Sequence, residues 1–154
     1  MKFLQLLFAI ALCASTGASA LDLNNALNRI TTPVAVSVGQ QQSQATAFFY
    51  VRLAPPEDPA KTGPQWRVMQ DIWLVTNRHV ILPRNGDQEL VPDAFSFHLR
   101  KIVENHLEWE TLVLSREQIL ERARFHSDPS VDVAVVRVKD LIVDRIKEEG
   151  LRNF

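Results

Sequence analysis

Residues 73–81 read WLVTNRHVI. Apolar and β-branched residues run from Trp73 to Thr76, meet the polar pair Asn77-Arg78, and end on His79. That composition is a strand's, and the polar step after Thr76 closes it. The strand reading reaches back to Arg67. It delivers an imidazole to a strand's end. The same two-residue period recurs on both sides of it. Val34, Val36 and Val38 alternate with Ala35 and Ser37 and stop at Gly39. Residues 45–53 (ATAFFYVRL) form a second β-rich run, and the polar Gln40 to Gln44 between the two reads as a loop. Downstream, Phe95, Phe97 and Leu99 mark a fourth strand. Leu107, Trp109, Thr111 and Val113 share one face of a fifth, and residues 132–138 (DVAVVRV) give a sixth.

Turn chemistry separates these runs. Residues 54–65 hold four prolines and a glycine and read as an exposed connection. Asn85-Gly86 suits a tight turn, because both residues tolerate positive φ. Ser115 and Gln118 have capping-box spacing and open a short helix over 116–124. Residues 139–151 read either as a terminal helix or as a connection, and residues 21–30 as a short helical lead. Six short strands with few helices predict an antiparallel all-β domain. Periodicity alone does not separate a barrel from a sandwich.

The N-terminus stands apart from this pattern. Lys2 precedes an apolar run, Phe3 to Ala14, broken only by Gln5, and Ala18-Ser19-Ala20 is a small-x-small site. Residues 1–20 therefore read as a secretory signal peptide cleaved after Ala20, too short to span a membrane. The expectation is a secreted or periplasmic protein with one domain over residues 21–154. Its only cysteine, Cys13, leaves with the leader, so the fold stands on packing without a disulfide. The whole chain carries a formal net charge of −1 and shows no basic stripe, which argues against a nucleic-acid partner. No later segment is long and apolar enough for a membrane span. No metal-ligand spacing and no cofactor motif stands out, so neither a metal nor a cofactor is expected.

Three segments gain meaning together: ATAFFYV at 45–51, WLVTNRHV at 73–80, and HSDPSVDVAVVRV at 126–138. Singly, a histidine after a strand is a common surface residue, an aspartate before a strand a common turn residue, and Phe48-Phe49 a common core pair. In combination they resemble the N-terminal half of trypsin-like (chymotrypsin-fold) serine peptidases of bacterial type. There a GTGFF-like strand pairs with a strand ending in Thr-x-x-His, and an Asp followed by alternating Ala and Val comes later. Thr76-Asn77-Arg78-His79 matches the histidine motif and Val131-Asp132-Val133-Ala134 the aspartate motif. Ala45 and Ala47 replace the glycines expected near Phe48. The resemblance covers Pro33 to Val138. It implies a six-stranded antiparallel β-barrel, with His79 as general base and acid and Asp132 as its orienting carboxylate. Asp128 precedes a proline and reads as a turn residue. His98, His106 and His126 have no motif context and read as surface or strand residues.

The resemblance also exposes a gap. A triad's serine sits in a Gly-x-Ser-Gly setting, whose backbone N–H groups form the oxyanion hole. Ser37, Ser43, Ser96, Ser115, Ser127 and Ser130 have no glycine beside them. The family places that serine on a second barrel well beyond the aspartate, and this sequence runs from Asp132 only to Phe154. Two expectations follow. One is a truncated or split trypsin-like endopeptidase, inactive alone and acting on a peptide or protein once a second barrel completes it. The other is a secreted single-barrel module that binds a protein or peptide and catalyses nothing. Either leaves a half-interface for a partner chain to cover.

Overall fold

The computed structural model describes residues 30–56 and 67–149. The signal peptide expected at 1–20, the helical lead over 21–29 and most of the proline-rich connection lie outside the described residues. In chain order the elements are β1 (Thr31–Val38), β2 (Gln41–Leu53), β3 (Met69–Thr76), the single turn α1 (Arg78–Ile81), β4 (Arg84–Asn85), β5 (Gln88–Glu89), β6 (Ala94–Val103), β7 (His106–Ser115), α2 (Arg116–Arg122), β8 (Ala123–Phe125), β9 (Ala134–Arg137) and α3 (Lys139–Glu149). The fold belongs to the compact unit Thr32–Phe154.

The main sheet has the order β7-β6-β1-β2-β3-β9-β8, and β4 and β5 form a separate ribbon. The register is antiparallel on both sides of β3: Tyr50 faces Trp73 on β2, and Trp73 faces Arg137 on β9. The all-β antiparallel expectation holds. The six-stranded barrel needs two corrections. The sheet has seven strands, because Ala123–Phe125 pairs with β9 from Ala123 opposite Val136 to Phe125 opposite Ala134. Three residues are too few for alternation to be legible. The sheet is also open: β7 and β8 are its edges, and no ladder joins them among the described residues. Its edges are nonetheless close. Seven strands side by side would hold their edges about 29 Å apart, yet the seven-residue α2 alone connects β7 to β8 and spans only about 10 Å. The sheet therefore curls strongly, with α2 packed on β6, β7 and β9 across the opening.

The core lies inside this curl. Val34 and Val36 of β1, Ile72 and Leu74 of β3, Phe95, Phe97 and Leu99 of β6, Leu112 and Leu114 of β7 and Ala134 and Val136 of β9 are buried, each set at the two-residue spacing of one strand face. Ile81, Ile119, Val138 and Ile142 close the ends from α1, α2, the β9–α3 junction and α3. Each fully buried large side chain contributes about 1.5–3 kcal/mol.

Four local details differ from the sequence reading or sharpen it. Gln41 to Gln44, read as a loop, extend β2 as an exposed segment, and Gly39 at φ +57° starts the tight turn out of β1. Polar composition suggested a loop, but the hairpin continues as strand beyond the core. In β7 the row Leu107, Trp109 and Val113 is the exposed one, whereas Leu112 and Leu114 face inward. Trp109 is occupied from outside: the Arg100 guanidinium lies 4.8 Å from its ring centroid and the His98 ring meets it edge-on. Third, the inner strand β1 contains Pro33, which cannot donate to a ladder. The buried Thr32 hydroxyl bridges there, donating to the His98 carbonyl at 2.8 Å and accepting the His98 N–H at 3.0 Å. Finally, β9 begins at Ala134, so Asp132 sits in the approach to the strand.

Candidate active site

Strand β3 ends at Thr76, whose hydroxyl donates to the Thr46 carbonyl of β2 at 3.0 Å. That bond and the Thr76–Ala134 pairing pin the strand end. The chain then turns through Asn77 into α1, which carries His79 on its second residue. On the neighbouring strand, Asp132 lies two residues before Ala134. Antiparallel pairing of β3 with β9 thus brings His79 and Asp132 to one rim of the sheet.

The two side chains meet. His79 Nδ1 lies 2.6 Å from Asp132 Oδ2, and the His79 backbone N–H donates to Oδ1 at 3.0 Å. One residue therefore engages both carboxylate oxygens, fixing the carboxylate relative to the ring as well as to the backbone. Asn77 Nδ2 donates to Oδ2 and to the Asp132 carbonyl, both at 3.1 Å. The His79 backbone N–H, with the ring and Asn77 amide behind it, holds the Asp132 carboxyl below the usual carboxylate range. An ionised carboxylate accepts only. In a neutral imidazole the proton must then sit on Nδ1, which leaves Nε2 with a free lone pair. That is the tautomer a general base requires.

A hollow of about 320 Å³ opens beside the pair, lined by Arg78, Arg84, Glu89, Pro129 and Ser130 as well as His79 and Asp132. Arg78 is bidentate to Glu89, at 2.9 Å for each bond, and stacks its guanidinium 5.1 Å from the Phe125 ring centroid. The ion pair depresses the Glu89 carboxyl and fastens the β4–β5 ribbon to α1. The site is open to solvent, with the His79 side chain 64 % exposed and that of Asp132 47 %. Below it the outward face of β2, β3 and β9 carries Phe48 opposite Val75 and Val75 opposite Val135, with Tyr50 and Trp73 in the next row. Phe48, Tyr50 and Val133 are exposed. At the far end of the face Asp71 bonds Arg52 and Arg137, each at 2.8 Å.

Ser130 is the serine that lines the hollow, but its hydroxyl donates to Asp128 Oδ1 at 2.7 Å and its N–H to the same oxygen at 2.9 Å. Asp128 is thus the turn residue its proline suggested. Among the described residues no serine hydroxyl is hydrogen-bonded to His79. The other histidines lie elsewhere: His98 bonds Thr111 across β6 and β7, His106 opens β7, and His126 Nδ1 accepts the Asp128 N–H. Among the described residues no group of His, Cys, Asp and Glu could hold a metal ion, and no helix is long and apolar enough to cross a membrane.

Sequence reasoning named His79 and Asp132 but missed Asn77, Arg78 and Glu89. Asn77 occupies an unspecified position of Thr-x-x-His. Its role follows from the register that places Thr76 opposite Ala134. The Arg78–Glu89 pair spans a turn whose geometry no residue pattern specifies. Comparison with protein families, curated proteins and solved structures finds no match for this chain.

Proposed function

We propose that this chain supplies the histidine–aspartate half of a trypsin-like serine endopeptidase site. The observation that carries the reading is the 2.6 Å contact between His79 Nδ1 and Asp132 Oδ2, reinforced by the His79 backbone N–H on the other oxygen. A serine hydroxyl is a weak nucleophile near neutral pH and needs a base within hydrogen-bond reach. In the proposed reaction Nε2 of His79 takes that proton as Oγ attacks the peptide carbonyl. Asp132 stabilises the imidazolium, which then protonates the leaving amine.

The nucleophile and oxyanion hole would come from a second β-domain. The apolar row Phe48, Val75 and Val135, with Tyr50 and Trp73 beside it, leads up the outer face to the pair and is where that domain would seat. Covering the face would also exclude water from a pair now open to it, and the charge stabilisation that drives acyl transfer is far larger in a water-excluded site. Without a serine the rate should fall by about a million-fold.

The test is fluorophosphonate labelling. The chain by itself should stay unlabelled at all of its serines. In extracts of the source cells a labelled polypeptide should accompany the chain, and its labelling should disappear when the chain carries His79→Ala. Labelling that is absent, or indifferent to His79, overturns the reading. The exposed Phe48 and Tyr50 favour a second reading, a non-catalytic module that binds a protein or peptide through this face. That reading predicts a partner whose binding survives His79→Ala and is lost in Tyr50→Ser.

A further inference from the structure

Arg84 stands between two hollows. On one side lies the hollow of His79 and Asp132, about 320 Å³; on the other lies a larger one of about 480 Å³. Arg84 lines both. The larger hollow is framed by the β1–β2 hairpin and the β4–β5 ribbon. Val36, Val38 and Leu90 give it apolar walls, and Gln42 and Asn85 give it neutral polar groups. Among the described residues Arg84 is the one ionisable side chain that lines it. Its size falls within the range of ordinary ligand sites.

The charge of Arg84 is only partly met within the protein. Both oxygens of Glu89 are taken by Arg78 at 2.9 Å, and Arg84 reaches Oε1 only at 3.5 Å. Its side chain is 57 % exposed. The backbone beneath it is fixed, because Arg84 pairs with Glu89 across the ribbon and Glu89 is clamped to α1 through Arg78. A guanidinium that holds Glu89 only at 3.5 Å and keeps donors to spare, beside apolar walls, matches one planar carboxylate with a short aliphatic stem. A phosphate dianion would meet only a single cation there.

We infer that the larger hollow is a subsite for an acidic side chain of the polypeptide whose neighbouring residues cross His79, and that Arg84 selects it. The inference rests on the peptidase reading for the nature of the ligand, but not on any catalysis. It is tested on the full chain with blocked octapeptides of alanine and serine that carry a single glutamate, moved along the sequence, each paired with its glutamine counterpart. Backbone amide shifts report binding. At one glutamate position binding should be about tenfold tighter than with glutamine, or 1.4 kcal/mol, with shifts at Val38, Gln42 and Leu90. Arg84→Gln should abolish the difference and Arg84→Lys should keep part of it, with unchanged spectra elsewhere reporting an intact fold. Binding should persist in His79→Ala, so a failed labelling experiment leaves this result standing. Equal affinity for glutamate and glutamine at every position, or a preference that survives Arg84→Gln, overturns the inference.

Discussion

A single carboxylate organises the rim. Asp132 accepts from a backbone N–H, faces a ring nitrogen and accepts from an amide, and these bonds favour its charged form. Its pKa is therefore lower in the folded chain than in the unfolded one. Stability from such a group is complete above the unfolded value, about 3.9. It is lost as pH falls through the lower folded value. Thermal melts of the chain and of Asp132→Asn should accordingly differ wherever the carboxylate is charged. The margin should shrink only below about pH 4. The same substitution tests the tautomer. An asparagine amide can offer N–H to Nδ1, so the imidazole proton should move toward Nε2, and ¹⁵N shifts of the two ring nitrogens read that directly. Unchanged ring shifts would mean that Asp132 does not set the tautomer. A base with the wrong nitrogen protonated cannot accept a serine proton, which is why this structural reading bears on function.

Helix α2 is where the sequence was most legible. Ser115 accepts the Gln118 N–H at 3.4 Å, and Gln118 Oε1 accepts the Ser115 N–H at 3.0 Å, as the capping-box spacing required. Ser115→Ala should cost about 1 kcal/mol, measured by denaturant titration with an unchanged slope. The strands were legible for a similar reason: burial on one face imposes a period of two, as in Phe95, Phe97 and Leu99. Legibility fell where that constraint is missing. Gln41 to Gln44 lie on a strand segment beyond the core, where composition carries no period. Residues 123–125 are a three-residue strand, and Arg84 to Glu89 form a ribbon whose turn falls on Gly86-Asp87 rather than Asn85-Gly86. Motif spacing anticipated that His79 and Asp132 meet, because each lies next to a strand whose pairing fixes its place. Arg78, Glu89 and Arg84 escaped it because they meet across turns, and Asn77 because its bond to Asp132 follows from strand register.

The molecule as a whole depends on curling one sheet until its two ends serve one core. Residues from β1, β3, β6, β7 and β9 share that interior, and α2 spans the gap between the edges. Ile119 is 1 % exposed and is the buried residue that α2 contributes. Were α2 only a surface connection, truncating Ile119 would cost little. As a clasp it should behave like a core residue: Ile119→Ala should destabilise by about 2–5 kcal/mol. Hydrogen exchange adds the spatial test. Loosening the clasp should speed exchange first in β8 and in β9 beside it, while β1 and β2 in the middle of the ladder keep their protection. The consequence reaches the rim, because β9 sets the place of Asp132. Ile119→Ala should therefore broaden or shift the His79 ring resonances even though residue 119 lies on another element. Uniform acceleration across all strands would mean that the sheet opens as one unit and that α2 is no separate clasp. Local loss with the His79 resonances unmoved would mean that α1 and Asn77 hold the pair together independently of the curl.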